Sequence, residues 1–135
     1  MVVDQQTTQH KRKLIAVVED DANLAGMFQD IVDKDGRWRL HILSDGQDAI
    51  TRLPDLGADL ILLDIGLPNL DGASLYKMLR GHSSTKRTPI IVVTASQDWE
   101  LHRMGLQTGL FLRKPFKVQE LLFMIQALLL ESKEL

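Results

Sequence analysis

Three stretches of this sequence are continuously apolar at strand length: LIAVV (Leu14–Val18), LILLD (Leu60–Asp64) and PIIVVT (89–94). None alternates apolar with polar residues, so each describes a strand buried on both faces, and a sheet of such strands needs helices on both sides. Two weaker strands are predicted at 38–43, where WRLHIL alternates as an edge strand does, and at 110–112. Helices are predicted at 22–34, 47–53, 74–80, 98–108 and 117–131, the first with Asp21 placed to cap it. Strand and helix thus alternate over short connections, which calls for a doubly wound α/β domain with a parallel sheet. At 135 residues the chain has room for one such domain. Residues 1–12 are polar and without apolar periodicity, so they read as a flexible tail, and 13–135 as the domain.

The composition closes several routes. With no cysteine, disulfides, thiolate metal sites and cysteine nucleophiles are excluded, a usage that suits the cytoplasm. A formal net charge of −2 without a long basic stripe argues against direct nucleic-acid binding by this segment, and HKRK at 10–13 is too short a cluster to reverse that. The apolar run at 121–130 is broken by Gln126 and falls short of the ~20 residues a span needs, so no membrane attachment is expected. His10, His41, His82 and His102 have no ligand-like spacing and read as surface or edge residues, while Trp38 and Trp99 read as structural.

In an open α/β sheet, ligands collect beyond the carboxyl ends of the strands. Here those ends carry Glu19, Asp20 and Asp21, then Ser44, Asp64, Thr94 and Lys114. Asp64 closes a buried strand and is followed by a turn built on Gly66, Pro68 and Gly72. Burying an ionised carboxylate without a partner costs several kcal/mol, so this one needs either solvent or a task. Carboxylates brought close repel one another unless a cation sits among them, and an all-oxygen donor set points to Mg²⁺ or a similar ion rather than zinc. A hard cation, the Lys114 ammonium and the Thr94 hydroxyl together form a clamp suited to phosphoryl oxygens. No G-x-x-x-x-G-K-[ST] or G-x-G-x-x-G segment is present to hold a nucleotide, which favours a small phosphodonor or a phosphoprotein.

VVEDD, LLDIGLPNLDG, VVTA and LRKPF, in that order, resemble the response-regulator receiver domains of two-component signalling, over roughly 14–130. The resemblance implies a CheY-like, flavodoxin-like fold, a five-stranded sheet of order 2-1-3-4-5 with five flanking helices. It implies Asp64 as the phosphoacceptor, with Glu19, Asp20, Asp64 and the backbone carbonyl of Gly66 holding Mg²⁺. By the same resemblance Thr94 and Lys114 bind phosphoryl oxygens, and Phe111, three residues before the lysine, joins Thr94 as a switch. Only Leu110 separates Phe111 from Gly109, a shorter connection than receivers usually have. Gly66 and Ser96 fall where the family tunes phosphoryl lifetime, and neither carries a long side chain. The implied partners are a sensor histidine kinase or a histidine phosphotransfer protein, with a homodimer or output contact through the face of the fourth helix, fifth strand and fifth helix. The only catalysis implied is the chain's own phosphorylation and dephosphorylation.

Two other classes compete. A pseudo-receiver that only binds protein is opposed by the intact acid pair, acceptor, threonine and lysine. A haloacid-dehalogenase-like phosphohydrolase needs D-x-D-x-[TV] after the first strand, and EDDAN does not supply it. In the last helix, Val118, Leu121, Leu122, Ile125, Leu128 and Leu129 form the stripe expected to face the sheet, while Phe123, Ala127 and Leu130 fall on the opposite side.

Overall fold

The computed structural model describes residues 12–66, 71–106 and 110–130. The expectations for the first eleven residues, His10, Pro68 and Gly109, and for the side chains of Trp99 and Leu130, lie outside the described residues. Ten elements follow in order: β1 (Leu14–Val18), α1 (Ala22–Asp35), β2 (Arg39–Leu43), α2 (Gly46–Leu56), β3 (Leu60–Asp64), α3 (Gly72–Gly81), β4 (Ile90–Thr94), α4 (Asp98–Arg103), β5 (Leu110–Arg113) and α5 (Val118–Leu130). The strands form one sheet of order β2-β1-β3-β4-β5, and every pair is parallel.

Alternation along each strand splits the core in two. Ala16, Val18, Ile61, Leu63 and Val92 point to one face, where residues of α2, α3 and α4 cover them. Ile15, Val17, Leu60, Leu62 and Val93 point to the other, covered by Phe28 and Val32 of α1 and by Leu121, Ile125 and Leu129 of α5. This is why β1, β3 and β4 contain no polar alternation: both of their faces are interior. Asp21 caps α1 as expected, accepting from the N–H groups of Asn23 and Leu24. Asp71 does the same for α3, accepting from Ala73 and Ser74, so the residue that closes the turn after β3 also starts the next helix.

Several boundaries differ from the sequence reading. Helix α2 does not stop at 53 but runs through Pro54 to Leu56. The proline forfeits only its own N–H, and the carbonyl four residues back belongs to exposed Ile50, where water can take the bond. Helix α4 ends at Arg103, short of the expected 108. Gly105 adopts φ 82°, and Leu106 N–H closes back on Leu101 O at 2.8 Å, a glycine stop that apolar periodicity does not reveal. Val118 is 44% exposed instead of facing the sheet; as the first residue of α5 it looks across an open groove toward Met27 and Ile31 of α1. The other five residues of the expected stripe are buried or half-buried.

Gly72 is required for space rather than for a turn conformation. A Cβ there would lie 2.6 Å from Ile65 Cα, because the start of α3 passes directly over the residue that follows Asp64. Gly72→Ala is therefore expected to cost about 1–3 kcal/mol. Gly26→Ala, at an exposed position of α1 where an added Cβ meets nothing within 4 Å, is expected to gain about 0.4–1 kcal/mol. Urea unfolding midpoints of both variants beside the wild type measure the contrast.

Candidate functional site

The carboxyl ends of β1, β3, β4 and β5 converge on one rim. Val18 of β1 pairs with Leu63 of β3, so one further step sets Glu19 beside Asp64, both on the α1/α5 side of the sheet. Asp64 is 5% exposed. Its Oδ1 accepts from the Gly66 N–H at 2.8 Å and its Oδ2 from Lys114 Nζ, also at 2.8 Å. The turn after β3 therefore supplies the donor that fixes the carboxylate's orientation. A Cβ on residue 66 would sit 3.3 Å from Oδ1, which favours glycine at that point.

Glu19 is more deeply buried, at 2% exposure. One of its oxygens, Oε2, accepts from the Asp21 N–H at 3.2 Å, while Oε1 is buried without a donor. Two facing carboxyls satisfy each other only if one of them holds a proton. Burial, the hydrogen bond with Asp64 and that group's charge push the Glu19 carboxyl up to about 8, so Glu19 holds it. Burial alone would raise Asp64 as well, but hydrogen bonds from Glu19, Lys114 and the Gly66 N–H outweigh it and keep Asp64 below the ordinary carboxylate value. The site is thus an oriented aspartate, held below the ordinary carboxylate value, between an ammonium and a buried acid whose carboxyl is pushed up.

Thr94, 2% exposed, ends β4. Its carbonyl accepts from the Lys114 N–H at 2.8 Å and its hydroxyl oxygen from the Ser96 N–H at 2.9 Å. The structure thus brings Glu19, Asp64 and Lys114 into contact, with Thr94 tied to Lys114 through the backbone. Asp20 has an exposed side chain, and among the described residues no three acidic or histidine side chains form a group that could hold a metal ion. The chemistry of the donors still fits a hard divalent cation: they are all oxygens, and the buried Glu19 Oε1 has no hydrogen-bond partner among the described residues. Phe111 is half-buried and packs against the α3/α4 core.

Two contributors escaped the sequence reading. Phe116 stacks on Phe28 of α1, ring centroids 5.9 Å apart and planes 8° apart, and so anchors the segment that follows Lys114. The Lys114–Pro115 peptide is cis. Arg113 donates from Nη1 to the Ser96 carbonyl, joining β5 to the segment after Thr94. An aromatic residue directly after lysine and proline was a visible signal for the first; nothing local marks the second.

Residues 15–126 match the family model described as the response regulator receiver domain. The DNA-binding response regulator MtrA of Mycobacterium tuberculosis is 36% identical over 118 residues, covering 86% of this chain and 50% of MtrA. The chain spans about half the length of the curated relatives it matches. Among solved structures, the receiver domain of sensor histidine kinase PA1611 from Pseudomonas aeruginosa, described with a magnesium ion coordinated in its active site cleft, superposes with a TM-score of 0.77 at 31% identity, over 86% of this chain and 96% of that one. Vibrio cholerae chemotaxis protein CheY4 gives a TM-score of 0.77 at 25% identity, over 87% of this chain and 99% of that one.

Removing the ammonium while leaving Asp64 ionised strands a buried charge. Lys114→Met is expected to destabilise the metal-free protein by roughly 1–3 kcal/mol at neutral pH, and adding Asp64→Asn is expected to recover most of the loss. Chemical denaturation of the single and double variants checks it; equal losses in the two would exclude the ion pair as the cause.

Proposed function

Since this chain belongs to the response-regulator receiver domains, whose general function is to accept a phosphoryl group on an aspartate, we propose that Asp64 is that aspartate and that the chain is a phosphorylated switch in a two-component phosphorelay. The observation that carries this reading is the ionised Asp64 carboxylate held at 2.8 Å by Lys114. In the transfer, an Asp64 oxygen attacks phosphorus as the bond to the donor breaks and its electron pair departs with the leaving group. The leaving group is the imidazole of a phosphohistidine on a kinase or phosphotransfer protein, or the carboxylate of a small acyl phosphate. Lys114 offsets the charge that develops on the phosphoryl oxygens, and the Thr94 hydroxyl donates to one of them.

Glu19, Asp20, Asp64 and the Gly66 carbonyl would hold Mg²⁺, which supplies positive charge that neutralises the incoming phosphoryl group. The reading places no other substrate on the chain, so its catalysis is confined to its own phosphorylation and dephosphorylation. It takes 13–135 as the receiver unit and the cytoplasm as its compartment. No helix among the described residues is long and apolar enough to cross a membrane. The DNA binding named for the mycobacterial relatives belongs to those longer proteins, and for this chain the proposal is no direct contact with nucleic acid. Output is assigned to the α4/β5/α5 face, where Phe123 is 74% exposed and Leu110 38% exposed.

Incubation with acetyl phosphate and Mg²⁺ is expected to add one phosphoryl group by intact mass, and Asp64→Asn to abolish it. Asp20→Ala should slow labelling and shrink the rise in Tm that Mg²⁺ produces. Full labelling of Asp64→Asn would move the acceptor elsewhere, and an undiminished Mg²⁺ effect in Asp20→Ala would remove Asp20 from the ligands. For the output face, phosphorylation is expected to alter self-association in sedimentation runs, and Phe123→Glu to cancel that change while leaving labelling intact. A phosphorylated wild type that stays monomeric rejects the homodimer.

A further inference from the structure

The two residues that follow Asp64 are fixed from opposite directions. Ile65 lies under the first turn of α3: a Cβ on Gly72 would sit 2.6 Å from Ile65 Cα, 2.7 Å from its Cβ and 2.8 Å from its Cγ2. Gly66 faces the site, its N–H donating to Asp64 Oδ1 at 2.8 Å. One residue of backbone therefore separates the helix start from the donor that orients the carboxylate. The two sides of the Ile65–Gly72 contact are not equally free to move. Asp71 holds the helix side, accepting from the Ala73 and Ser74 N–H groups and, at 2.7 Å, from the Ser74 hydroxyl, and Ala73, Leu75 and Leu79 are buried in the core. Ile65 packs its side chain into the same core, but its backbone lies past the end of β3. Its N–H reaches the Val93 carbonyl only at 3.4 Å, longer than the ~3.0 Å usual for such a bond. A side chain at residue 72 therefore displaces Ile65 and, with it, Gly66.

We propose that Gly72 is a positioning residue for phosphoryl transfer: by letting α3 start in contact with the Ile65 backbone, it sets where the Gly66 N–H meets the Asp64 carboxylate. The inference rests on the reading of Asp64 as acceptor and of the Gly66 carbonyl as a Mg²⁺ ligand. A displaced Gly66 disturbs both the orientation of the nucleophile and the ligand set, while Lys114, which reaches Asp64 Oδ2 from the end of β5, stays in place. A nucleophile out of line with its phosphodonor reacts more slowly even when it is fully ionised.

The test compares wild type, Gly72→Ala and Leu79→Ala, the last a fully buried position farther along the same helix whose truncation costs at least as much stability. Urea midpoints grade the loss. Initial rates of labelling by acetyl phosphate at saturating Mg²⁺ are read by intact mass, and exchange of the Gly66 amide proton is read by NMR in the unphosphorylated proteins. Gly72→Ala is expected to label about ten-fold slower and to exchange faster at Gly66 than either other protein, and Leu79→Ala to label at the wild-type rate. A general loss of stability acts at least as strongly through Leu79→Ala, so equal slowing in the two variants overturns the inference, as does an unchanged labelling rate in Gly72→Ala. Ile65→Ala loosens the same contact from its other side without crowding it, and is expected to slow labelling as well. If Gly72→Ala does not fold, wild-type labelling by Ile65→Ala overturns the inference. A wild type that takes no label defeats the reading of Asp64 instead. Gly66 exchange then decides: exchange in Gly72→Ala no faster than in Leu79→Ala rejects the positioning role.

Discussion

The contact between Lys114 Nζ and Asp64 Oδ2, 2.8 Å long, spans β4 to join the ends of two strands that are not neighbours in the sheet. Asp64 has almost no access to water, so its charge must be balanced from within the protein. The balance is local and complete on one side only. Lys114 and the Gly66 N–H serve the two oxygens of Asp64, while Glu19, beside it at the end of β1, has no donor for Oε1 among the described residues, and burial pushes its carboxyl up to about 8. Everything that positions Lys114 therefore bears on the aspartate. The register of β4 with β5, the bond from its own N–H to the Thr94 carbonyl and the stacking of Phe116 on Phe28 are the three fastenings.

The sheet also separates two kinds of work. Glu19 and Asp64 belong to the face covered by α1 and α5, and Thr94, Phe111 and Arg113 to the face covered by α3 and α4. On the proposed reading, a change of charge at Asp64 originates on one face and is read on the other. Thr94 is the link, since its carbonyl is bonded to the residue that pairs with Asp64 and its hydroxyl to the segment leading into α4. A rigid, doubly covered sheet suits this arrangement, because its strand ends cannot drift independently of one another.

How much of this was legible depended on whether the signal was local. The three central strands and their doubly covered character could be read because burial on both faces suppresses polar alternation, and the strand-end carboxylates, threonine and lysine were legible because they interrupt or end apolar runs. The end of α4 was missed because one glycine in a left-handed conformation, Gly105, overrides a helical pattern that continues past it. The passage of α2 through Pro54 was missed for the opposite reason: a proline in a helix's last turn, its lost bond falling on the carbonyl of exposed Ile50, is tolerated although it usually ends helices. Sequence adjacency set Asp20 beside Glu19 without showing how differently they are covered: Glu19 is buried and Asp20 exposed. The pairing of Arg113 with Ser96 joins residues 17 apart through one rotamer, which no periodicity encodes.

Gly72 shows how tightly the local and the global are coupled at this site. Its missing side chain lets α3 begin directly over Ile65, the residue next to Asp64. Asp71 caps that helix at the same place, so the loop after β3 is closed by two adjacent residues serving different needs, one steric and one polar. On the other side of the loop, the Gly66 N–H faces the Asp64 carboxylate. The Gly66 N–H and the Lys114 ammonium hold the aspartate in one orientation before any ligand arrives. That is the condition under which a carboxylate can act as an aligned nucleophile without paying for its own ordering during the reaction.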